Sequence, residues 1–411
     1  MNILIVTQYF WPESFRINDL ALGLKQRGHE VEILTGMPNY PAGKFYPGYG
    51  FFSPAEERFE GMRVVRIPLL PRGSRRNWRL AANYASFVLS AALLGPLRCR
   101  GRYDAIFVYE PSPVTVALPA ILLKAIKRAP LFLWVQDLWP ESLSATGSVT
   151  SPRLLRRVRQ MVDFIYRRCD LILVSSRGFI GHVLASGVSR ERIAYLPNWA
   201  EALFRPLAPL PVSVGDDMPA GFRILFAGNI GSAQSFETIL AAAERTRSQP
   251  DLHWVILGEG NMRPWVSDEI LRRGLADRVH LLGQRPVDTM PSYFAAADAL
   301  LVTLRGDPVF SLTVPSKVQS YLACGRPLIA AIDGEGAEIV AESGAGLTCP
   351  AAATDQLAAA ALALYTMPRS QREAMGQKGR AYFEANFERE MLIDRLEGFI
   401  RNLRSGRPCA S

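Results

Sequence analysis

The segment Thr313-Val314-Pro315-Ser316-Lys317 combines residue types that can hold an anion at the start of a helix. Proline suits the first helical turn because it lacks an N–H group, and Thr313 is placed to cap the turn. A lysine here is unfavourable against the helix dipole unless an anion is bound nearby. The alternative is a surface lysine that extends away into solvent. Because amide donors and a point charge converge, we predict a phosphate site at Thr313, Pro315, Ser316 and Lys317.

Two glycine turns follow apolar runs in the same half of the chain. Gly228-Asn229-Ile230-Gly231 comes after Arg223–Ala227, and Gly258-Glu259-Gly260 comes after Trp254–Leu257. Glycine allows backbone amides to approach a ligand closely, and a helix start directs N–H groups at an anion. A diphosphate would fit such loops. A tight strand-to-helix turn without a ligand explains either loop taken alone.

Carboxylates follow three apolar runs in the first half. Leu131–Val135 is followed by Gln136-Asp137-Leu138-Trp139-Pro140-Glu141-Ser142, and Glu110 and Glu13 stand after Ala105–Tyr109 and Ile3–Val6. These groups are candidates for aligning a second substrate. A capped helix start, with Asp137 or Ser142 as the cap, is the alternative.

Several motifs are missing from the sequence. The first apolar run is not followed by GxGxxG, and neither a P-loop nor a DxD pair occurs. Dinucleotide and P-loop chemistry are therefore unfavoured. The five cysteines and four histidines are scattered without metal-ligand spacing, which fits a reducing compartment. We expect no cofactor and no metal ion.

Short apolar runs alternate with helical segments along the whole chain. The first half has Ile3–Val6, Val31–Leu34, Val64–Ile67, Ala105–Tyr109, Leu131–Val135 and Leu171–Val174. The second half has Arg223–Ala227, Trp254–Leu257, Val279–Leu282, Ala299–Thr303 and Leu328–Ala331. Runs that are apolar on both faces are typical of parallel strands covered by helices. The pattern predicts an α/β chain with two doubly wound, Rossmann-like domains.

A proline-rich stretch separates the two halves. Five prolines, Gly215, Asp216 and Asp217 lie between Pro197 and Gly221, a composition typical of a linker. We therefore predict domains at residues 1–200 and 222–388, a linker at 201–221, and a C-terminal helix and tail at 389–411. Tandem domains of this class are expected to bind ligands in the cleft between them, near the carboxyl ends of the strands.

The charge pattern bears on whether the protein binds a membrane surface. The net charge is +9, which attracts anionic partners of several kinds. The start of the chain lacks the pattern of a signal peptide, and we expect no spanning helix. Arg72–Arg102 encloses the apolar segment Leu80–Leu97 between arginines and Trp78, a combination suited to a membrane interface. A core helix with solvated ends explains it equally well.

Several segments together resemble the retaining glycosyltransferases of family 4, which have the GT-B fold. They include the first 41 residues, VQDLWPES, LPNWAE, FAGNIGSAQSFETILAAA, LGEGNMR, LLGQRP and, as the most specific, VPSKVQSYLACGRPLIAAIDGEGAEIV. In detail the chain looks like the subgroup that transfers N-acetyl-L-fucosamine or a related sugar in O-antigen and capsule synthesis.

The resemblance implies a nucleotide-sugar site in the second domain, with UDP favoured, and an acceptor site in the first. It also implies a C-terminal helix that crosses back to the first domain. A lipid-linked glycan acceptor and a cytoplasmic enzyme, peripheral on the plasma membrane, are expected too. The donor-binding residues that it implies are Gly228, Asn229, Gly231, Gln234, Gly258, Glu259, Arg285, Arg305, Thr313, Pro315, Ser316, Lys317 and Ser320.

The chain departs from the family pattern at charged positions. Asn229 and Gln234 stand where the family often has an arginine and a lysine, so Lys317 and Arg305 become the expected source of positive charge. The paired glutamates of the family are replaced by Leu312 and Ser320. The histidine–aspartate pair of many members reads Gln136-Asp137 here, which leaves Asp137 as the polar group expected closest to the reaction.

The implied chemistry is front-face displacement without a metal. Lys317 and the amides of Ser316 and Gly231 would stabilise the departing diphosphate, while Asp137, Glu110 and Glu13 would align the acceptor. One alternative is a non-hydrolysing nucleotide-sugar epimerase on the same architecture. Another is a basic nucleic-acid-binding protein, but no recognised nucleic-acid motif is present, and we expect no nucleic-acid partner.

Overall fold

The chain folds into two compact units. The computed structural model describes residues 1–73, 77–145, 147, 149–207 and 217–407. The first domain consists of Met1–Pro197 together with Glu390–Ser411, and the second of Asn198–Arg389. The predicted linker residues Pro209, Pro211, Gly215 and Asp216 lie outside the described residues. The described residues 196–207 and 217–221 contain neither helix nor strand.

The first domain is built on an eight-stranded sheet. Its strands are β1 (Asn2–Val6), β2 (Glu30–Gly36), β3 (Glu56–Phe59), β4 (Met62–Ile67), β5 (Ala105–Glu110), β6 (Leu131–Val135), β7 (Leu171–Val174) and β8 (Ile193–Tyr195). Their order is β3-β4-β2-β1-β5-β6-β7-β8, and only the β3–β4 pair is antiparallel. The six strands from β4 to β7 follow the 3-2-1-4-5-6 order of the Rossmann fold. The predicted doubly wound sheet is confirmed.

Six α-helices among the described residues before the linker accompany this sheet. They are α1 (Arg16–Gln26), α2 (Asn77–Arg98), α3 (Ala117–Lys127), α4 (Glu141–Ala145), α5 (Pro152–Arg168) and α6 (Ile180–Ala185). The central strands β1, β5, β6 and β7 are buried almost throughout because helices cover both faces of the sheet.

Helix α2 is the segment on which the expectation of no spanning helix depends. Among the described residues, Trp78–Arg98 is long and apolar enough for that by length and composition. Only 22% of its most apolar window is buried. A core helix would be buried along most of one face, so α2 presents an unusually large apolar surface.

In the second domain, the strands of the described residues repeat the Rossmann order with no additional edge strand. Its strands are β9 (Phe222–Ala227), β10 (Leu252–Leu257), β11 (Val279–Gly283), β12 (Ala299–Thr303), β13 (Leu328–Ala331) and β14 (Gly346–Cys349). They are all parallel, in the order β11-β10-β9-β12-β13-β14. The helices are α7 (Phe236–Arg245), α8 (Arg263–Arg272), α9 (Met290–Ala296), α10 (Pro308–Ser311), α11 (Ser316–Ala323), α12 (Glu335–Ser343), α13 (Thr354–Thr366) and α14 (Arg369–Asn386).

The C-terminal helix α15 (Arg389–Arg404) belongs to the first domain, as the family resemblance implied. Arg27 forms ion pairs with Glu390 at 2.8 Å and with Asp394, and His29 Nε2 lies 2.9 Å from Glu397 Oε1. The opposite side of α15 buries apolar residues, including Leu392, Leu396 and Ile400. Apolar burial and the charge cluster at the end of α1 together fix this helix.

Candidate functional site

The two glycine turns of the second domain are interlocked at the ends of β9 and β10. A Cβ atom on Gly258 would lie 1.8 Å from the carbonyl oxygen of Gly228, and one on Gly260 would lie 2.2 Å from that of Ile230. The Ile230 amide donates to the Glu259 carbonyl at 2.8 Å. Such close backbone contact requires glycine at both positions. The two turns therefore form one rigid loop pair rather than two independent connections.

Lys317 extends into this loop pair. A Cβ atom on Gly228 would lie 2.6 Å from Lys317 Cε, so the missing side chain leaves the space that the lysine fills. Its Nζ lies 3.5 Å from the centre of the Phe226 ring, which is a cation–π contact. In the part of the chain that the structure describes, no carboxylate pairs with this ammonium. Burial lowers the pKa of Lys317 to about 7. The lysine is thus a cation without a counter-charge.

The first turn of α11 offers backbone donors beside this lysine. The helix begins at Ser316 after Pro315, and no side chain caps it. The expectation that Thr313 caps this helix is wrong, because its hydroxyl donates to the Phe310 carbonyl at 2.9 Å. The first N–H groups of an α-helix lack intrahelical acceptors. Those of Ser316 and Lys317 are consequently available to an anion.

Gln234 changes the expected role of Gly231. The Gly231 amide donates to Gln234 Oε1 at 3.1 Å, and Asn229 Nδ2 lies 3.5 Å from the same oxygen. The amide of Gly231 can reach a phosphate only after Gln234 turns away. Arg305 is fixed through its backbone, whose amide donates to Ala233 at 2.8 Å. Its side chain is exposed.

A depression of about 360 Å³ opens beside the loop pair. It brings together five predicted donor residues: Gly228, Asn229, Gly258, Glu259 and Arg285. Leu257, Gln284, Val287 and Met290 complete its wall. None of them was predicted to bind the donor, although Gln284 lies in the segment LLGQRP. Arg285 donates to the Tyr293 hydroxyl at 2.9 Å and pairs with Asp217, so its guanidinium is held in place. The depression has the size and mixed polarity of a small-molecule site.

Ser320 lies on the exposed side of α11. Its hydroxyl donates to the Ser316 carbonyl at 3.2 Å, one turn earlier. On the buried side, the Tyr321 hydroxyl accepts from the Ala227 amide at 3.1 Å. Tyr321 thereby ties α11 to the end of β9. This tie, which the sequence did not reveal, positions Lys317 against the glycine loops.

In the first domain, Asp137 lies at the carboxyl end of β6. The Ser142 hydroxyl donates to Asp137 Oδ2 at 3.0 Å. Burial raises the pKa of Asp137, while the hydrogen bond from Ser142 opposes that rise. The residue is partly exposed, so its carboxylate can meet a ligand at this edge of the sheet.

Glu110 is on the neighbouring strand but is fully buried. Neither carboxylate oxygen forms a hydrogen bond of full geometry among the described residues, and the nearby backbone amides of Gln136 and Asp137 lower its pKa only in part. Burial, and then the charge of Asp137, hold the pKa of Glu110 well above its ordinary value. The expectation that Glu110 contacts an acceptor does not fit its position. It can act only through its influence on Asp137.

Glu13 is also inaccessible, with 1% of its surface exposed. Its Oε1 accepts from the Asn39 and Tyr40 amides, both at 2.7 Å, and its Oε2 accepts from the Phe10 amide at 3.2 Å. Burial raises the pKa of Glu13 to about 7 against the effect of these three donors. Its role is to join the loops after β1 and β2, so direct contact with an acceptor does not fit it either.

Those loops carry an aromatic cluster that the sequence did not single out. Tyr9 stacks on Phe15 with ring centres 5.1 Å apart, and the Arg72 guanidinium lies 5.0 Å from the centre of the Tyr40 ring. Arg72 also donates to the Tyr9 hydroxyl at 3.2 Å. Aromatic faces beside a cation can bind a sugar ring or an anionic substituent.

No group of three or more histidine, cysteine, aspartate or glutamate side chains that could hold a metal ion occurs among the described residues.

Comparison with known families covers most of the chain. Residues 14–199 match the family model described as Glycosyl transferase 4-like domain, and residues 221–367 match the model described as Glycosyl transferases group 1. The first stretch contains every strand of the first sheet except β1, and the second contains all six strands of the second sheet.

Individual relatives align with most of this chain. "Putative colanic acid biosynthesis glycosyl transferase WcaI" of Escherichia coli (strain K12) is 26% identical over 79% of this chain and 82% of its own. "Probable glycosyltransferase WbjE" of Pseudomonas aeruginosa is 26% identical over 97% of this chain and 95% of its own. The structure of Anabaena Alr3699/HepE in complex with UDP superposes with a TM-score of 0.69 at 16% identity, over 98% of this chain and all of that one. The chain therefore belongs to the GT-B glycosyltransferases of family 4, whose relatives include proteins of bacterial polysaccharide biosynthesis.

Proposed function

We propose that the protein is a retaining glycosyltransferase that takes a sugar from a nucleoside-diphosphate donor, with UDP favoured. The acceptor is a lipid-linked glycan in bacterial surface-polysaccharide synthesis, of the O-antigen or capsule type. The observation that carries the proposal is the unpaired ammonium of Lys317 between the glycine loops and the first turn of α11. A diphosphate supplies the missing negative charge at this place.

The donor is held by the second domain. The diphosphate accepts from Lys317 and from the amides of Ser316 and Lys317, while the nucleoside occupies the depression beside Gly258 and Arg285. The UDP in the Alr3699/HepE structure supports a uridine nucleotide. The proposed sugar is N-acetyl-L-fucosamine or a related deoxy or N-acetyl sugar, which rests on the sequence resemblance alone.

The reaction is a front-face displacement. The bond between the anomeric carbon and the diphosphate oxygen breaks, and the acceptor oxygen forms its bond on the same face. Lys317 neutralises charge on the leaving diphosphate. Asp137 accepts a hydrogen bond from the acceptor hydroxyl and orients it. No metal ion takes part in this scheme.

The enzyme meets its acceptor at the cytoplasmic surface of the plasma membrane. The exposed face of α2 carries Trp78, Leu89, Leu93 and Leu97, each 62–71% exposed. Exposed leucines along a helix, with a tryptophan and arginines near its ends, favour a position in the membrane interface. The predicted basic residues Arg75 and Arg76 lie outside the described residues.

A donor screen tests the proposal. Purified protein is heated with a panel of UDP-, GDP- and dTDP-sugars that includes UDP-N-acetyl-L-fucosamine, and its Tm is recorded. A donor at about 100 times its Kd stabilises the folded state by about 2.7 kcal/mol. Lys317→Met serves as the matched control and should lose most of the shift. No Tm shift with any nucleotide sugar would refute the donor site.

Product analysis separates the transferase from the epimerase. A transferase releases nucleoside diphosphate in proportion to acceptor consumed. An epimerase converts the nucleotide sugar in the absence of any acceptor.

A further inference from the structure

We propose that a second depression, in the first domain, binds an amphiphile in which a hydrocarbon chain is esterified to phosphate. This depression of about 630 Å³, here called the α2 pocket, is lined by residues 42–45, by residues 70, 71 and 73, and by residues 78, 79 and 82 of α2. The inference rests on the proposed function, because a phosphate-linked lipid is what carries a lipid-linked glycan. The α2 pocket would be the place where the phosphate-linked lipid of the acceptor binds.

The lining of the α2 pocket combines an apolar wall with two cations. Phe45, Leu70 and Trp78 contribute to the wall, and Lys44 and Arg79 contribute the charge. No carboxylate is among the described residues that line the pocket. Neither cation forms an ion pair within the described ranges of the chain. Two unpaired cations beside apolar surface suit a ligand with an anionic group at one end and a hydrocarbon chain at the other.

The walls of the pocket are held by backbone hydrogen bonds. The Gly73 amide donates to the Gly43 carbonyl at 2.8 Å, and a Cβ atom on Gly43 would lie 2.2 Å from the Gly73 oxygen. The two glycines therefore allow the two loops to touch. The buried Asn83 side chain donates to the Leu70 carbonyl at 2.5 Å. A pocket fixed in this way loses little conformational entropy when a ligand binds.

The pocket continues into the exposed face of α2. It includes Trp78 at the start of the helix, and Leu89, Leu93 and Leu97 follow on the exposed side. On the other wall, Phe45 contacts the half-exposed Phe51, with ring centres 5.3 Å apart. A chain leaving the pocket would thus remain on apolar surface, which favours a lipid over a free sugar phosphate.

Calorimetric titration tests the pocket with soluble probes. Farnesyl phosphate represents an isoprenoid carrier, and dihexanoyl phosphatidic acid represents bulk phospholipid. Farnesol lacks the phosphate group, and inorganic phosphate lacks the hydrocarbon chain. We expect farnesyl phosphate to bind at least tenfold more tightly than farnesol or inorganic phosphate. If both lipids bind equally well, the pocket accepts any hydrocarbon chain esterified to phosphate. If farnesyl phosphate binds more tightly, the pocket is specific for an isoprenoid carrier.

Paired variants locate the binding site. The double variant Lys44→Ala/Arg79→Ala should weaken farnesyl phosphate binding at least tenfold. Arg156→Ala/Arg157→Ala removes two exposed cations from α5 in the same domain and should leave binding unchanged. Equal loss in both double variants, or inorganic phosphate binding as tightly as farnesyl phosphate, would overturn the proposal.

The same samples distinguish this inference from the donor proposal. If UDP-sugars raise the Tm but farnesyl phosphate does not bind, the α2 pocket is refuted and the donor site stands. If farnesyl phosphate binds and no nucleotide sugar does, the pocket stands and the donor site fails. An unchanged Tm shift with UDP-sugar in Lys44→Ala/Arg79→Ala shows that the variant is folded.

Discussion

The ammonium group of Lys317 lies 3.5 Å from the centre of the Phe226 ring, two residues before the glycine that makes room for it. The ring attracts the cation but cannot neutralise it, and burial lowers the pKa of the lysine to about 7. The free protein therefore keeps at this site a group that gains a proton when an anion arrives. Donor binding at the proposed site should therefore depend on pH, which can be measured.

Lys317→Met should weaken donor binding at least tenfold. Methionine keeps an unbranched apolar side chain against Phe226 but removes the charge. One charge-assisted hydrogen bond contributes about 1.5–3 kcal/mol, which corresponds to a tenfold or larger change in Kd. Titration with UDP-glucose or the donor found in the screen measures the effect. An unchanged Kd would exclude Lys317 from the diphosphate site.

The donor affinity of the wild type should fall as the pH rises through about 7. The bound diphosphate favours the protonated lysine, so above the free pKa of about 7 binding requires proton uptake. The wild-type Kd should increase toward that of Lys317→Met between about pH 6 and about pH 9. A nucleotide sugar is the right probe, since its diphosphate does not titrate near neutrality. A pH-independent Kd in the wild type would contradict this coupling.

Asp137→Asn should reduce kcat by at least about tenfold with little change in donor affinity. Asparagine keeps the shape but accepts hydrogen bonds more weakly than a carboxylate. Ser142→Ala is the matched control, because it keeps the carboxylate and removes a hydrogen bond that lowers its pKa. The acidic limb of its pH–rate profile should move to higher pH. Loss of donor affinity in Asp137→Asn would instead make Asp137 a donor contact.

Glu110→Gln should make the protein more stable at alkaline pH. The folded pKa of Glu110 is raised above the ordinary value of 4.5, so above that pH the folded state holds more protons than the unfolded state. The free energy of unfolding of the wild type therefore falls as the pH rises toward the folded pKa. Glutamine removes this loss. Denaturant titrations at about pH 5 and about pH 8 measure the difference, which should grow with pH.

Glu60→Gln is the control for that comparison, because Glu60 is exposed in the same domain. It should change stability by less than about 0.5 kcal/mol at either pH. If Glu110→Gln also changes the stability by less than about 0.5 kcal/mol at both pH values, the pKa of Glu110 is not raised in the folded state. Glu110 then has no demonstrated influence on Asp137.

The strands were predictable to the extent that they are buried. The bounds of β6, β7, β12 and β13 agree residue for residue with the apolar runs in the sequence, because central parallel strands are apolar on both faces. Strand β3 was missed because its sequence EERF is charged, as an antiparallel edge strand tolerates. Strand β8 was missed because it is only three residues long, and β14 because its sequence GLTC is not an apolar run and only its last residue is buried.

The candidate site was predictable by residue type but not by exposure. The sequence alone indicates an anion site where a lysine and glycine turns follow predicted strands. A glutamate after a strand looks the same whether it faces solvent or the interior. Glu13 is buried because the amides of Asn39 and Tyr40, 26 and 27 residues away, surround it. Such long-range contacts leave no local pattern.

Transfer activity should survive removal of divalent metals. The sequence has no DxD pair, and the proposed phosphate charge is met by Lys317 and helix amides. Activity measured in EDTA should equal that measured with Mg²⁺ or Mn²⁺. Loss of activity in EDTA that Mg²⁺ restores would contradict the front-face scheme without metal.

The exposed face of α2 should bind the protein to anionic membranes. Leu89, Leu93 and Leu97 would enter the interface, and each nearby cation adds on the order of 1 kcal/mol that salt weakens. Liposome flotation should therefore recover the protein with anionic vesicles at low salt and much less at high salt. Leu89→Gln/Leu93→Gln/Leu97→Gln should abolish flotation. Leu271→Gln alters a leucine of equal exposure in the second domain and should float like the wild type.

The triple variant also tests whether the membrane matters for turnover. Because the three leucines are exposed, their replacement should leave the Tm and the donor affinity unchanged. Activity on a short, water-soluble acceptor should be retained, whereas activity on a lipid-linked acceptor in vesicles should fall at least tenfold. If the wild type does not float with anionic vesicles at any salt concentration, α2 does not bind membranes and the core-helix alternative stands. Equal activity of the variant on both acceptors would show that the acceptor is reached without this face.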